Sequence, residues 1–299
     1  MDTSVIDALF IRLTSAAAMP EASREPIRVW ARSGVERVHS ASGASVIFKY
    51  AEAPFDTEDA NLAALTARGL PVPALISAAH TEDVLGMLIE DLGPCVREAD
   101  DDDGIAAALT LYTAGEIAEL PRLDRESLAR LPKRSLAAAK RHWPDADVIH
   151  SMLERLSQLA DVRAVGAELA PFGLCHSEFH PTSVHIGVGG RMRLLDFARA
   201  FNGPGLLDLA SWPGTIDAPD PYRVEDLLHR YVAAGGQDDV LAERGGLPAA
   251  VWALGWHRLW AVDWFIDRAP HWANDPEADR GWRDAVRRHL QEAATLLDK

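Results

Sequence analysis

The 299 residues predict an α+β protein of two lobes: a small strand-rich lobe over residues 1–92 and a larger, mainly helical one over 93–299. Three observations carry this. Short β-branched segments separated by Ser-Gly pairs fill the first third of the chain, while residues 105–170 follow helical spacing. One hairpin pattern interrupts the helices near residues 184–197. Strands that precede helices, rather than alternating with them, argue against a doubly wound parallel sheet. A chain of this length also exceeds the usual size of a single hydrophobic core.

Composition narrows the function classes. Hydrophobic content of 48% and charged content of 25% are those of a globular protein. A net charge of −15 argues against general nucleic-acid binding, which needs a basic surface. The same charge favours cationic substrates, or serves solubility alone. Two cysteines, Cys95 and Cys175, make no disulfide framework, which points to a reducing cytoplasm. No apolar run approaches the ~18 residues of a membrane span. At the start, Asp2 and Asp7 replace the basic region of a signal peptide and Arg12 interrupts the apolar run, so an amphipathic helix is expected.

Three strands follow, Ile27–Arg32, Glu36–Ala41 and Ser45–Tyr50, with turns at Ser33-Gly34 and Ser42-Gly43. Alternation puts Lys49 on the face of Ile47. A helix begins near Thr57, a plausible N-cap. Glu58, Leu62 and Leu65 are spaced i, i+4, i+7, so Glu58 shares the apolar inward face. An inward carboxylate needs a cation, and Lys49 is the nearest candidate. The alternative is that Glu58 serves the helix dipole from the first turn. Val84–Gly93 reads as a strand running into a connector, and the acid run 98–104 as a solvated loop. Helices are expected over Ile105–Glu119, Asp124–Lys140 and Ala146–Ala160, with Pro121, Pro132 and Pro144 as breaks or first-turn residues. Further helices fall at 222–234, 249–268 and 282–297. The second of these carries Trp252, Trp256, Trp260 and Trp264 as a broad stripe, core-facing or a substrate wall, with Asp263 and Asp267 beside it.

The chemistry concentrates in Cys175-His176-Ser177-Glu178-Phe179-His180-Pro181-Thr182-Ser183 and the hairpin after it, which ends in Leu195-Asp196-Phe197. A two-residue Gly189-Gly190 turn would set Val188 opposite Arg191 and Ser183 opposite Asp196. Facing Cβ atoms lie roughly 5 Å apart, so a hydroxyl and a carboxylate would meet as oxygen ligands suited to Mg²⁺. A rival reading takes His176, Glu178, His180 and His185 as ligands of a metal-dependent hydrolase or oxygenase.

His176–Val184, then Leu194-Leu195-Asp196-Phe197-Ala198-Arg199 and Gly203–Ala210, resembles the catalytic core of the aminoglycoside phosphotransferase and choline kinase-like family, whose fold is similar to that of protein kinases. Two positions depart from the family pattern: Glu178 matches its catalytic Asp, and Ser183 its metal-binding Asn. The resemblance implies an O-phosphotransferase that uses ATP or GTP and Mg²⁺ on a small hydroxylated molecule such as an amino sugar or nucleoside, in antibiotic inactivation or biosynthesis. It implies that Gly34 lies in the turn over the phosphates, that Lys49, paired with Glu58, holds the α/β-phosphates, and that the backbone of Glu90 and Leu92 binds the base. Asp196 and Ser183 would hold the metal, and Glu178 would orient the acceptor hydroxyl. His176, His180 and Asp208 would support the loop. If the changes at 178 and 183 have cost activity, the chain is instead a pseudokinase that binds nucleotide without transferring phosphate.

Overall fold

The computed structural model describes residues 1–81, 83–214, 217–272 and 275–299. The chain falls into two compact units: residues 1–103, 117–120 and 181–200 form the first, and residues 104–116, 121–180 and 201–299 the second. The architecture is the two-lobed kinase-like one, with a small antiparallel sheet in the first unit and a mainly helical second. The 184–194 hairpin clusters with the first unit although it comes late in the chain.

Helix α1 (Thr3–Ala16), N-capped by the Asp2 side chain, precedes strands β1 (Ser23–Val29), β2 (Ser33–His39) and β3 (Ser45–Glu52). Helix α2 (Glu58–Ala67) and strands β4 (Leu75–His80) and β5 (Val84–Glu90) follow. The sheet order is β1-β2-β3-β5-β4, antiparallel throughout. One face packs Val38, Phe48, Tyr50 and Leu88 against Ile6, Leu9 and Leu13 of α1. Period-two alternation leaves Val35, Arg37, Ile47 and Lys49 on the opposite face. The first two strands start earlier than the sequence suggests: Ser33-Gly34 lies inside β2, and the turn is made by the residues before it, where Trp30 N–H donates to Ser33 O. Gly34 is therefore not a turn glycine. It faces Tyr50 in the ladder, and a Cβ there would stand 2.3 Å from the Tyr50 ring, so close approach explains the residue.

The acid run is a loop only over residues 98–100; from Asp101 it is helical. Asp100 accepts from the Asp102 and Asp103 N–H groups and Asp103 accepts from Asp100 N, which caps α3 (Asp101–Thr113). In the second unit, α4 (Arg125–His142, capped by Asp124) and α5 (Asp147–Arg163) pack together. Pro132 does not break α4 but is buried inside it. Strand β6 (Phe172–Cys175) leads into the 176–183 loop, and β7 (Val184–Ile186) and β8 (Met192–Leu194) form the hairpin. Strand β9 (Phe201–Pro204), paired with β6, leads into the short α6 (Leu206–Ser211). Helices α7 (Pro221–Ala233), α8 (Ala249–Trp272) and α9 (Pro276–Leu297) complete the unit.

The tryptophan stripe on α8 divides. Trp252 and Trp256 are buried and both indole N–H groups donate to Arg163 O, whereas Trp260 and Trp264 are half-buried. Asp263 accepts from Arg134 and Ser135, and Asp267 pairs with Arg268. Among the described residues no helix is long and apolar enough to cross a membrane.

Candidate active site

In the first unit the site is built on Lys49. Strand alternation turns this side chain away from the α1 face, where its Nζ meets Glu58 Oε1 at 2.8 Å and Oε2 at 2.7 Å, and also contacts the Asp196 carboxylate. Glu58 is buried and Lys49 nearly so, while Asp196 is 51% exposed. Burial works against the ammonium, but Asp196 and Glu58 together outweigh it and hold the Lys49 pKa above its ordinary value. Burial raises the Glu58 pKa, opposed by Lys49 and by the Phe197 N–H it accepts.

Glu58 thus joins two parts of the chain, Lys49 on β3 and the Asp196-Phe197 backbone after β8. Asn61, one turn further along α2, completes the attachment: its Nδ2 donates to Phe197 O at 2.7 Å. Thr57 Oγ1 donates to Ala198 O at 3.3 Å; its side chain makes no cap bond to the helix it precedes. Asp196 has φ 63°, in the left-handed region that short polar side chains tolerate. Neither Asn61 nor Thr57 stands out as a site residue in the sequence, because their acceptors are backbone carbonyls more than 130 residues away.

The hairpin register differs from the two-residue reversal. Val184 faces Leu194 and Ile186 faces Met192, and Gly187 N–H donates to Arg191 O at 2.8 Å, closing a three-residue loop of Val188, Gly189 and Gly190. Both glycines have φ above 70°, so the pair serves the longer loop as well as it would the shorter one. Ser183 consequently stands opposite Leu195, whose N–H its carbonyl accepts at 2.9 Å, and its side chain is buried. The direct Ser183–Asp196 opposition is overturned, because one extra loop residue shifts the pairing by one.

In the second unit the loop segment 176–180 hangs on Asp208. This carboxylate, buried in α6, accepts from His176 N at 2.6 Å and Ser177 N at 3.0 Å. Burial pushes its pKa up to about 7, with the two N–H groups pulling the other way. Ser177 has φ 79°, a conformation that favours glycine. Phe179 is fully buried, 5.0 Å from the Trp212 ring and 6.1 Å from the His176 ring. Gly104 makes room for that indole, since a Cβ there would stand 2.5 Å from it. Glu178 and His180, on either side of Phe179, are half-buried. Residues 177–180 do not form a strand, so the alternation that a His176–Glu178–His180 ligand face requires is missing. Among the described residues, no group of three or more His, Cys, Asp or Glu is placed to hold a metal ion without other ligands.

After Glu90 closes β5, its side chain accepts from Ala74 N at 3.2 Å, and the chain continues through Asp91 and Leu92 without regular structure.

The phosphotransferase enzyme family model (APH) matches residues 35–245. No curated protein matches the chain. Solved structures share the fold. The choline kinase LicA from Streptococcus pneumoniae is 13% identical with a TM-score of 0.62, over 96% of this chain and 99% of that one. The macrolide 2'-phosphotransferase MphH from Brachybacterium faecium is 15% identical with a TM-score of 0.61, over 94% and 98%. The amicoumacin kinase hAmiN, in complex with AMP-PNP, Ca²⁺ and Ami, is 13% identical with a TM-score of 0.59, over 92% of each chain.

Proposed function

This chain belongs to the phosphotransferase enzyme family, a small-molecule phosphotransferase by that membership, and we propose that it moves the γ-phosphate of ATP or GTP onto a hydroxyl of a small acceptor in the cytoplasm. The observation that carries the reading is Lys49 Nζ set between the carboxylates of Glu58 and Asp196. A lysine kept charged by two acids, one buried and one open to solvent, suits the α/β-phosphates of a nucleotide. Asp196 offers the exposed hard-oxygen ligand that Mg²⁺ takes alongside phosphates and waters. Mg²⁺, when bound there, would neutralise charge on the transferring phosphates. Ser183 would support that ion through a water rather than by facing Asp196.

Glu178 accepts or orients the acceptor hydroxyl, and Phe179, buried beside it, fixes the backbone from which it projects. His176, His180 and Asp208 shape the loop. The backbone of Glu90 and Leu92 meets the base. The structural neighbours act, by their names, on choline, a macrolide and amicoumacin, which supports a small acceptor for this chain; amino sugars, nucleosides and related antibiotics or metabolites are the candidates. The paired state of Asp263 and Asp267 gives a cationic acceptor no support from those two acids.

A second reading, nucleotide binding without transfer, draws on the burial and shifted register of Ser183 and on Glu in place of Asp at 178. Mass spectrometry of an acceptor library incubated with ATP, Mg²⁺ and protein separates the two. Transfer should appear in the wild type and persist, altered, in Glu178→Asp, since a displacement on the ångström scale costs about 100-fold rather than everything. Nucleotide binding with no transfer to amino sugars, nucleosides or amino alcohols would favour the second reading.

A further inference from the structure

The segment that follows β5 is held by a device outside the residues assigned above. Across the sheet, Arg37 on β2 faces Ile47 on β3, and Ile47 faces Ile89 on β5. Asp91, two residues beyond Ile89, lies in the direction Arg37 points, and the two meet as a fork: Nε to Oδ2 at 2.8 Å and Nη2 to Oδ1 at 3.4 Å. Ser45, two residues before Ile47, also hydrogen-bonds to Asp91. Burial raises the Asp91 pKa, but these partners and the Gly93 N–H outweigh it, so the carboxylate stays below the usual range.

Asp91 Oδ1 accepts Gly93 N–H at 2.9 Å, closing an Asx turn over Leu92, and Gly93 takes φ +72°. On the far side, Gly93 O accepts from His185 Nε2 at 3.2 Å, and Val96 N–H donates to Ile186 O at 2.9 Å. Residues 91–96 are therefore pinned from two directions: by Arg37 from the sheet, and by β7 from the hairpin whose end carries Asp196.

We infer that Asp91, clamped by Arg37, is a positioning residue for nucleotide: it fixes the turn that presents the Glu90 and Leu92 backbone to the base before any ligand arrives. The inference rests on the nucleotide reading above. Without the clamp, ordering of the turn falls on the binding step, and affinity drops.

The test is ADP affinity by calorimetry, with amide hydrogen exchange of Gly93 and Val96 in the nucleotide-free protein. Arg37→Met and Asp91→Ala should each weaken ADP about 10-fold and speed exchange at Gly93. The double variant should be no weaker than either single one, because both remove the same clamp. Arg37→Lys, which keeps the charge but not the fork, should recover part of the loss, and it serves as the folded control if Arg37→Met unfolds. ADP affinity within two-fold of wild type in Arg37→Lys and in either clamp-breaking variant that folds would overturn the inference alone. Failure of the wild type to bind ADP would overturn the nucleotide reading, and this inference with it.

Discussion

Two buried carboxylates, Glu58 in the first unit and Asp208 in the second, are met in opposite ways. Glu58, in the first unit, is met by a cation, Lys49, and that cation reaches on to a second, solvent-open carboxylate at Asp196. Asp208, in the second unit, is met by two backbone N–H groups. A cationic partner leaves a charge standing in the site, available to a phosphate. Backbone donors leave none; they fix the path of a loop, and they let burial carry the Asp208 pKa up to about 7. The first arrangement is suited to holding a ligand and the second to holding the chain.

The largest expected effect falls on the member of the first arrangement that faces solvent. Asp196→Ala should reduce phosphoryl transfer by about 1,000-fold or more while the protein stays folded, because the group removed stabilises charge during the reaction rather than the fold. A steady-state assay paired with a thermal melt checks this, and a variant that melts early while still transferring phosphate would break the comparison.

Lys49→Met should lose both activity and stability, since it strands buried Glu58 beside a methyl thioether. The stability cost should be about 3–5 kcal/mol by denaturant titration. Adding Glu58→Gln to that variant should return part of the stability and none of the transfer.

Asp208→Asn should cost about 1–3 kcal/mol, because one of the two N–H groups loses its acceptor. Its sign with pH is the sharper test. Asp208 has a folded pKa of about 7, above its ordinary value of 3.8, so its contribution is fully present below about pH 4 and is lost as pH rises through about 7. The variant should therefore be more damaging at pH 5 than at pH 8. His257 and His289, whose pKa values burial lowers to about 3 and about 4, weaken the fold in acid, but equally in both proteins, so they drop out of the difference.

The smallest effect tests the loop backbone itself. Ser177→Gly should stabilise by about 1 kcal/mol, because a φ of 79° strains serine and not glycine. An unchanged or lowered melting temperature would show that the Ser177 side chain contributes more than its strain costs.

These two arrangements were unequally legible in the sequence. The alternation around Lys49 and the spacing of Glu58, Leu62 and Leu65 are local periodicities, and local periodicity placed a charge pair on facing surfaces. The family motif marked the loop and Asp196 by residue identity. The hairpin register was not readable, because two glycines satisfy a two-residue and a three-residue loop alike, and one residue decides what Ser183 faces. Gly34 is ambiguous in the sequence for a related reason: glycine serves a turn or a close approach equally well, and only the Tyr50 ring across the ladder tells which. Pro132 reads as a break or a first-turn residue because the sequence does not show that a place inside α4 is tolerated. Asn61 gave no signal, since its partner is a distant carbonyl with no side-chain signature.

The central claim is that Lys49, between Glu58 and Asp196, receives the phosphates of a nucleotide. Phosphorus NMR of ATP and Mg²⁺ with the wild type, beside Lys49→Met, tests it most directly. The account predicts α- and β-phosphate resonances shifted by the wild type and left at their free positions by the variant. Identical spectra in the two samples, whether both shifted or both free, would contradict it.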